Sequence, residues 1–376
     1  ADLTNPDSET YVDGSISVRA GDLGGDGGFI ETSASKIDIS STTAVDTTAP
    51  NGKSGDWLID PVDITIDASL ATAIQTALGG GNVTITTDGS NTPDTSNGES
   101  GGDGDITVNS DITWSTANTF FLDAANNIYI NADITATNTA GKVVLLYGQG
   151  AVAAGNTATY NFGLSSSGFA GSINLQAGQN FSTISGSNGI PILWTVITNR
   201  IELEAITSDL AGNYVLGNDF DLSTTNWNDT GVFTGNFDGL GHVLDNLTTS
   251  GTANIGLFEK LTGASVSNFG LTNVNLHGVN GSNTGSITGS SVSGTTINNV
   301  FSQGDIDSFG YVGGLVAYIQ GDTTISNSYF NGNINSSITT SANNTGTGGL
   351  VAYVSGDNNH ILNSSASGNI YGYNQT

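Results

Sequence analysis

The sequence predicts an all-β fold, a right-handed parallel β-helix with one or two short helices, and three observations carry the prediction. The first is composition: 53 of 376 residues are glycine, about twice the usual share. Serine, threonine, asparagine and aspartate make up about half of the rest. The second is patterning. Apolar runs of four to six residues, alternating with period two or wholly apolar, are separated by glycine- and asparagine-rich corners, which is the pattern of short strands joined by turns. The third is repetition, which selects a solenoid over a sandwich or a closed barrel. At roughly fifteen rungs and one strand spacing per rung, a single β-helix would form a rod of about 70 Å.

Strands are read in chain order at Ser15–Val18, Lys36–Ile39, Asn82–Thr86, Asp105–Val108, Asn127–Ile134, Val143–Tyr147 and Ser172–Leu175. Two segments break the pattern. Asp67–Leu78 places Leu70, Ile74, Ala77 and Leu78 at helical spacing behind an aspartate cap, and Asn199–Leu210 does the same with Ile201, Ile206 and Leu210. The second falls where the repeat type changes, so residues 1–198 and 199–376 are read as two segments. The run 88–105 has no large apolar residue before Ile106 and reads as an exposed loop.

Beyond residue 260 the repeat is explicit. The cores SVSNFGL, TINNVFSQGDI, TISNSYFNGNI and HILNSSASGNI centre on Asn268, Asn299, Asn327 and Asn363, spaced 31, 28 and 36 residues apart. Gly304, Gly332 and Gly368 follow the last three at one register, each leading into Asp or Asn and then Ile. Upstream lie the units Gly313–Tyr318 and Gly349–Tyr353, which places Leu315 and Leu350 in one apolar column. The four asparagines read as a structural amide ladder capping the corners. A ladder wedged between apolar residues is expected to be internal; the alternative is an outward row that binds sugar.

Charge excludes several partners. Six Lys+Arg against 34 Asp+Glu leave −28, which repels phosphate backbones and anionic lipid, so no nucleic acid is expected. No run approaches the ~18 apolar residues of a membrane-spanning helix, and membrane insertion is not expected. The chain starts at Ala1, has no methionine and shows no signal segment, so it reads as a mature piece or an internal slice of something longer.

Two blocks resemble known families. Gly27–Ser33 (GGFIETS), then Gly52–Pro61 with GDWLIDP, then DITI and NVTITT resemble the large exoproteins of Gram-negative two-partner secretion, the filamentous haemagglutinin and high-molecular-weight adhesin type. From Leu203 onward, GNYVLGNDFDLS, FTGNFDGLGHVLDNL, IGLFEKL and the two GGLVAY units resemble glycine-leucine (GLUG-type) repeats. Glu259, Ala317 and Ala352 depart from that pattern where the family has glycine, which puts the rung pairing there in question. The resemblance implies a β-helical segment of a secreted adhesin at the bacterial cell surface, exported by an outer-membrane transporter that recognises a region outside this chain.

Candidate chemistry is sparse. Lyases on this scaffold need a base and acidic neighbours, but the only arginines are Arg19 and Arg200. Asp219 and Asp221, or Asp238, are the carboxylates available for glycoside hydrolysis, and they also belong to the repeat pattern. His242, His277 and His360 have no partner histidine at ligand spacing. GDLGGDGG and GGDGDI lack the nonapeptide recurrence of a calcium roll, so neither a metal site nor a cofactor is expected beyond weak Ca2+. For binding to host-cell or matrix carbohydrate, aromatic faces beside amides are needed. Trp227, in the polar run TTNWNDT, is expected to be exposed; Trp114 reads as an outward platform or as core, and Tyr318 and Tyr353 as a structural column or a ligand-facing strip. Trp57 and Trp194 read as core. The expectation is a non-enzymatic adhesin, with a polysaccharide lyase or hydrolase and a passive spacer as the alternatives.

Overall fold

The computed structural model describes residues 8–87, 103–223, 226–227, 230–279, 281–336 and 346–372. It is an all-β chain of parallel, stacked strands with two short helices, a parallel β-helix. It divides into two compact units, Ala1–Val196 and Ile197–Thr376. Most of the run read as an exposed loop, 88–102, lies outside the described residues.

In the first unit, Phe29–Ser33, Asp56–Asp60, Asn82–Thr86, Thr119–Asp123, Lys142–Tyr147 and Gly178–Ser185 pair in parallel, one rung on the next. Period-two alternation in each strand puts matching residues in vertical register. Ile30, Trp57, Val83, Phe120, Val143 and Phe181 form one inward column, all buried. A second column on another side joins Ile66, Val108, Ile130 and Phe162. The run 127–134, read as one strand, is instead two strands, Ile128–Ile130 and Ile134–Ala136, that belong to different sheets. Asn131 and Asp133 occupy the corner between them, and Asp133 Oδ1 accepts the backbone N–H of Ser172 there. Among the described residues the hairpin 164–169 and the pair Gly178–Ser185 with Ile192–Ile197 are antiparallel, as is the isolated Gly21–Gly24 bridge.

Helix α1, Ala68–Leu78, starts where Asp67 Oδ1 accepts the N–H groups of Ser69 and Leu70 at 2.9 Å. Leu70, Ile74, Ala77 and Leu78 all face inward, as their spacing predicts.

The second helix differs from its prediction. Helix α2 covers only Arg200–Glu204 and tightens into a 3-10 turn at Ala205–Ser208. Ile201 is 78% exposed, while Leu203 and Ile206 are buried. The capping pair sets this phase: Asn199 Oδ1 accepts Glu202 N–H and Glu202 reaches back to Thr198 N–H. That fixes the first turn, and the 3-10 turn rotates the face away from continuous helical spacing.

In the second unit the strand pairings among the described residues are parallel. Val266, Ile297, Ile325 and Ile361 stack in one column, and Leu276, Ile306, Ile334 and Ile370 in another. Leu315 lies on Leu350, donating its N–H to the Leu350 carbonyl at 3.0 Å, and Ile287 donates to Leu315 at 3.0 Å. The stacking predicted for Leu315 and Leu350 is therefore present. Pairing also continues on both sides of Glu259, Ala317 and Ala352, so the loss of glycine does not interrupt the sheet. Where glycine does recur, contact requires it. A Cβ on Gly332 would lie 1.8 Å from the Gly304 carbonyl oxygen, and one on Gly368 2.0 Å from that of Gly332.

Candidate functional site

The aromatic residues divide into two groups by burial. All four tryptophans are inside: Trp57 at 0%, Trp227 at 1%, Trp114 at 3% and Trp194 at 6% exposure. Each indole N–H has a partner within the fold, donating to Thr32 Oγ1, Leu257 O, Asn118 O and Thr183 Oγ1 for Trp57, Trp227, Trp114 and Trp194 respectively. The expectation of an exposed Trp227 is corrected, and the reason is specific. In later rungs the Leu315 and Leu350 carbonyls accept backbone N–H groups from the rung before. At Leu257 the Trp227 indole supplies that donor, at 2.9 Å. Arg200 lies over the ring at 5.6 Å and its Nε bonds Glu204 Oε1 at 2.7 Å. A polar run thus carries a large ring because the ring closes one side of the core. Trp114 is core as well, edge-on to Phe120 at 6.3 Å.

The tyrosines are different. Tyr318 pairs in register with Tyr353 on neighbouring rungs, and Tyr311, from the adjacent strand, joins them. The three rings are near parallel, with centroids 5.8, 4.9 and 5.4 Å apart and interplanar angles of 17°, 30° and 16°. Tyr311 fits because its neighbour across the sheet is Gly346, whose missing side chain leaves room for the ring. Tyr318 is half-buried and Tyr353 is 43% exposed. Tyr318 and Ser355 share a hydroxyl hydrogen bond of 3.0 Å. Burial against the cluster, then the phenols of Tyr353 and Tyr318, push the Tyr311 hydroxyl up.

Polar groups flank this terrace. Asn283 donates to Asn254 Oδ1 at 2.9 Å, and Asn283 immediately precedes Thr284, which pairs with the Val312 that follows Tyr311. The column below Tyr318 runs through Ser290 to Lys260. An aromatic terrace edged by amides, hydroxyls and one ammonium is the arrangement that holds a sugar ring by stacking and its hydroxyls by hydrogen bonds. The tyrosine repeat was legible in the sequence; Tyr311 was missed because it lies outside the repeated unit.

The asparagines hold corners. Asn268, Asn299, Asn327 and Asn363 all have positive φ, 56°, 56°, 51° and 47°, the left-handed conformation that asparagine tolerates best after glycine. Asn299 donates to Asn268 at 2.9 Å and Asn363 to Asn327 at 3.4 Å, whereas Asn327 donates to Asn298 instead of Asn299. Only Asn268 is buried; Asn327 and Asn363 are exposed. The ladder therefore runs along a corner and opens to solvent, because a left-handed corner residue directs its side chain along the edge of the stack.

The carboxylates are engaged separately. Asp219 Oδ1 lies 3.0 Å from His242 Nδ1 and accepts Val243 N–H at 2.8 Å. Burial raises its pKa, but the His242 and Val243 hydrogen bonds outweigh this and hold the carboxyl below its usual value. His242 itself is 2% exposed, a pairing that spacing alone did not disclose. Asp221 caps Ser223 and accepts from Asn246. Asp238, 3% exposed, caps Leu240 and accepts Asn268 at 2.8 Å. Arg19 pairs with Asp22 at 3.5 Å. In the glycine-aspartate runs, Asp26 accepts the Lys53 N–H and Asp105 the Asn127 N–H. Among the described residues no group of three or more His, Cys, Asp or Glu converges to hold a metal ion.

Comparison with known families gives two matches. Residues 200–304 match the M26 IgA1-specific metallo-endopeptidase N-terminal region, and residues 310–335 match the GLUG motif. No curated protein and no solved structure matches the chain. The second unit thus carries a GLUG repeat, and no helix among the described residues is long and apolar enough to cross a membrane.

Proposed function

We propose that this chain is a non-enzymatic attachment segment of a secreted bacterial surface protein, of the two-partner secretion adhesin type, and that its second unit binds host or matrix carbohydrate at the Tyr311–Tyr318–Tyr353 terrace. The observation that carries the reading is the near-parallel packing of three partly exposed tyrosine rings beside the Asn254–Asn283 amide pair. The GLUG repeat supports the surface assignment. The exoprotein-like motifs GGFIETS and GDWLIDP support the secretion type, since Phe29–Ser33 and Asp56–Asp60 form successive rungs. Many weak contacts along repeated rungs would add through multivalency. Weak cation binding by the acidic surface remains part of the reading, with no cofactor.

A glycan array probed with the purified chain tests it. Binding that Tyr353→Ala reduces, with the far-ultraviolet spectrum unchanged, supports the proposal; binding unaffected by Tyr353→Ala and Tyr318→Ala overturns it. A second reading is a passive spacer, favoured by the match to the N-terminal region of an endopeptidase family. It predicts an array without signal from this chain, and signal only from a longer protein that contains it.

A further inference from the structure

A different side of the second unit presents a second surface. Its sheet contains Gly270–Gly278, Phe301–Ser308, Tyr329–Ser336, Ser365–Ser367 and Ile370–Gly372 in parallel register. Alternation buries Ile306 and Ile334 and turns Asp305, Asn333 and Asn335 outward, while Asp307 is half-buried with its Oδ2 3.8 Å from His277 Nδ1. These outward side chains form a grid, about 4.8 Å between strands and about 6.6 Å along them. Asn333 donates to Asp305 at 2.9 Å and Asn369 to Asn333 at 3.1 Å, which locks the central column flat. Aromatic rings bound the grid at both ends. On one side Tyr329, half-buried, stacks at 5.3 Å and 11° on Phe301, which is itself buried and only supports it. Tyr371, 61% exposed, and His277, edge-on to Phe309 at 6.4 Å, stand on the other.

No strand of this sheet contains a lysine or an arginine. A flat face of amides closed off by aromatic rings suits an extended glycan lying along the strands, where rings stack at the ends and hydroxyls meet amides between. Charge then selects among glycans. Asp305 and Asp307 stand two residues apart on this face within a chain of net charge −28, so a polyuronate is repelled and a polymer bearing ammonium groups is attracted.

We propose that this face binds an extended amino-sugar polymer with free amines, the amines meeting Asp305 and Asp307 and the sugar rings meeting the aromatic margins. The site is independent of the tyrosine terrace, which lies on other strands.

The test is calorimetric titration of the chain with a glucosamine hexamer, its fully N-acetylated counterpart and an oligouronate. The free-amine hexamer should bind tightest and weaken as salt rises, because exposed charge pairs are screened within a Debye length of about 8 Å at physiological ionic strength. Asp305→Asn with Asp307→Asn should weaken it about fivefold, the scale of two exposed ion pairs. The fold tolerates this change, since an amide at 305 still accepts from Asn333. Tyr353→Ala should leave the free-amine affinity unchanged, which separates this site from the terrace. Equal binding of the N-acetylated hexamer, preference for the oligouronate, no binding of the free-amine hexamer, or indifference to the double substitution would each overturn the proposal.

Discussion

Trp227 offers the sharpest test of how the second unit is closed. Its ring is 1% exposed, its indole N–H donates to the Leu257 carbonyl at 2.9 Å, and Arg200 lies 5.6 Å from its centre. Trp227→Phe keeps most of the apolar contact but leaves that buried carbonyl without a donor, a loss of about 1–3 kcal/mol. Trp227→Ala adds a cavity beside Leu257, and truncating a buried aromatic residue costs about 3–5 kcal/mol by itself. The expected order of stability is parent, then Phe, then Ala, measured by urea unfolding followed through far-ultraviolet circular dichroism. Because repeat units couple mainly to their neighbours, the loss should concentrate in amide exchange of the strands near Leu257 and fade toward Leu350. If both variants unfolded within about 0.5 kcal/mol of the parent, the ring would be carrying neither core nor hydrogen bond. A loss of glycan binding with stability intact would point the same way and restore Trp227 as an exposed platform.

Three further outcomes follow from named contacts. Asn268→Gly should destabilise by about 1–3 kcal/mol, since the buried Asp238 carboxylate loses its amide donor. Asn268→Ala should cost about 1 kcal/mol more in the same assay, because alanine resists the left-handed φ of 56°. Asp123→Asn should raise Tm by about 2 °C at pH 7: burial pushes this carboxyl up, so its charged form costs stability above its folded pKa, and the gain should vanish by pH 3, where the parent is also neutral. Asp46 and Asp219 are held below 3.8, the former by Thr48 and the latter by His242 and Val243 against burial. Their contribution is full above the unfolded value and lost as pH falls through the lower folded one, so a calorimetric Tm series should drop most steeply below about pH 4.

Much of this fold was legible because a solenoid writes its register into the sequence: Leu315 and Leu350, Ile306 and Ile334, Gly304 and Gly332 are neighbours in space because they are equivalents in sequence. What spacing could not show were contacts between non-equivalent positions. Trp227 meeting Leu257, His242 meeting Asp219 and Tyr311 joining Tyr318 and Tyr353 all depend on where a side chain points at a corner. Composition misled at Trp227 for the same reason. A polar neighbourhood predicts exposure only if the backbone keeps the residue outside, and here the Trp227 N–H bonds the Thr248 carbonyl at 2.7 Å and turns the ring inward. Ile201 failed in the opposite direction, since two turns of differing pitch replaced one regular helix.

The acidity of the chain also has a structural reason beyond solubility. Asn246 donates to Asp221, Asn268 to Asp238, Asn273 to Asp245, Asn333 to Asp305 and Asn358 to Asp322. In each pair the acid precedes the amide by one rung. An ionised carboxylate accepts only, so it can begin a ladder without leaving an N–H unsatisfied, whereas an amide in the same place would have to find an acceptor for its N–H groups elsewhere. The following asparagine then donates back and presents its own oxygen to the next rung, as Asn333 does to Asn369. The ladders therefore have a direction, acid first and amide after. Several acids that read as bare surface charge in the sequence are the starting points of this order, and on the face carrying Asp305 the same order leaves fixed negative charge beside a flat row of amides.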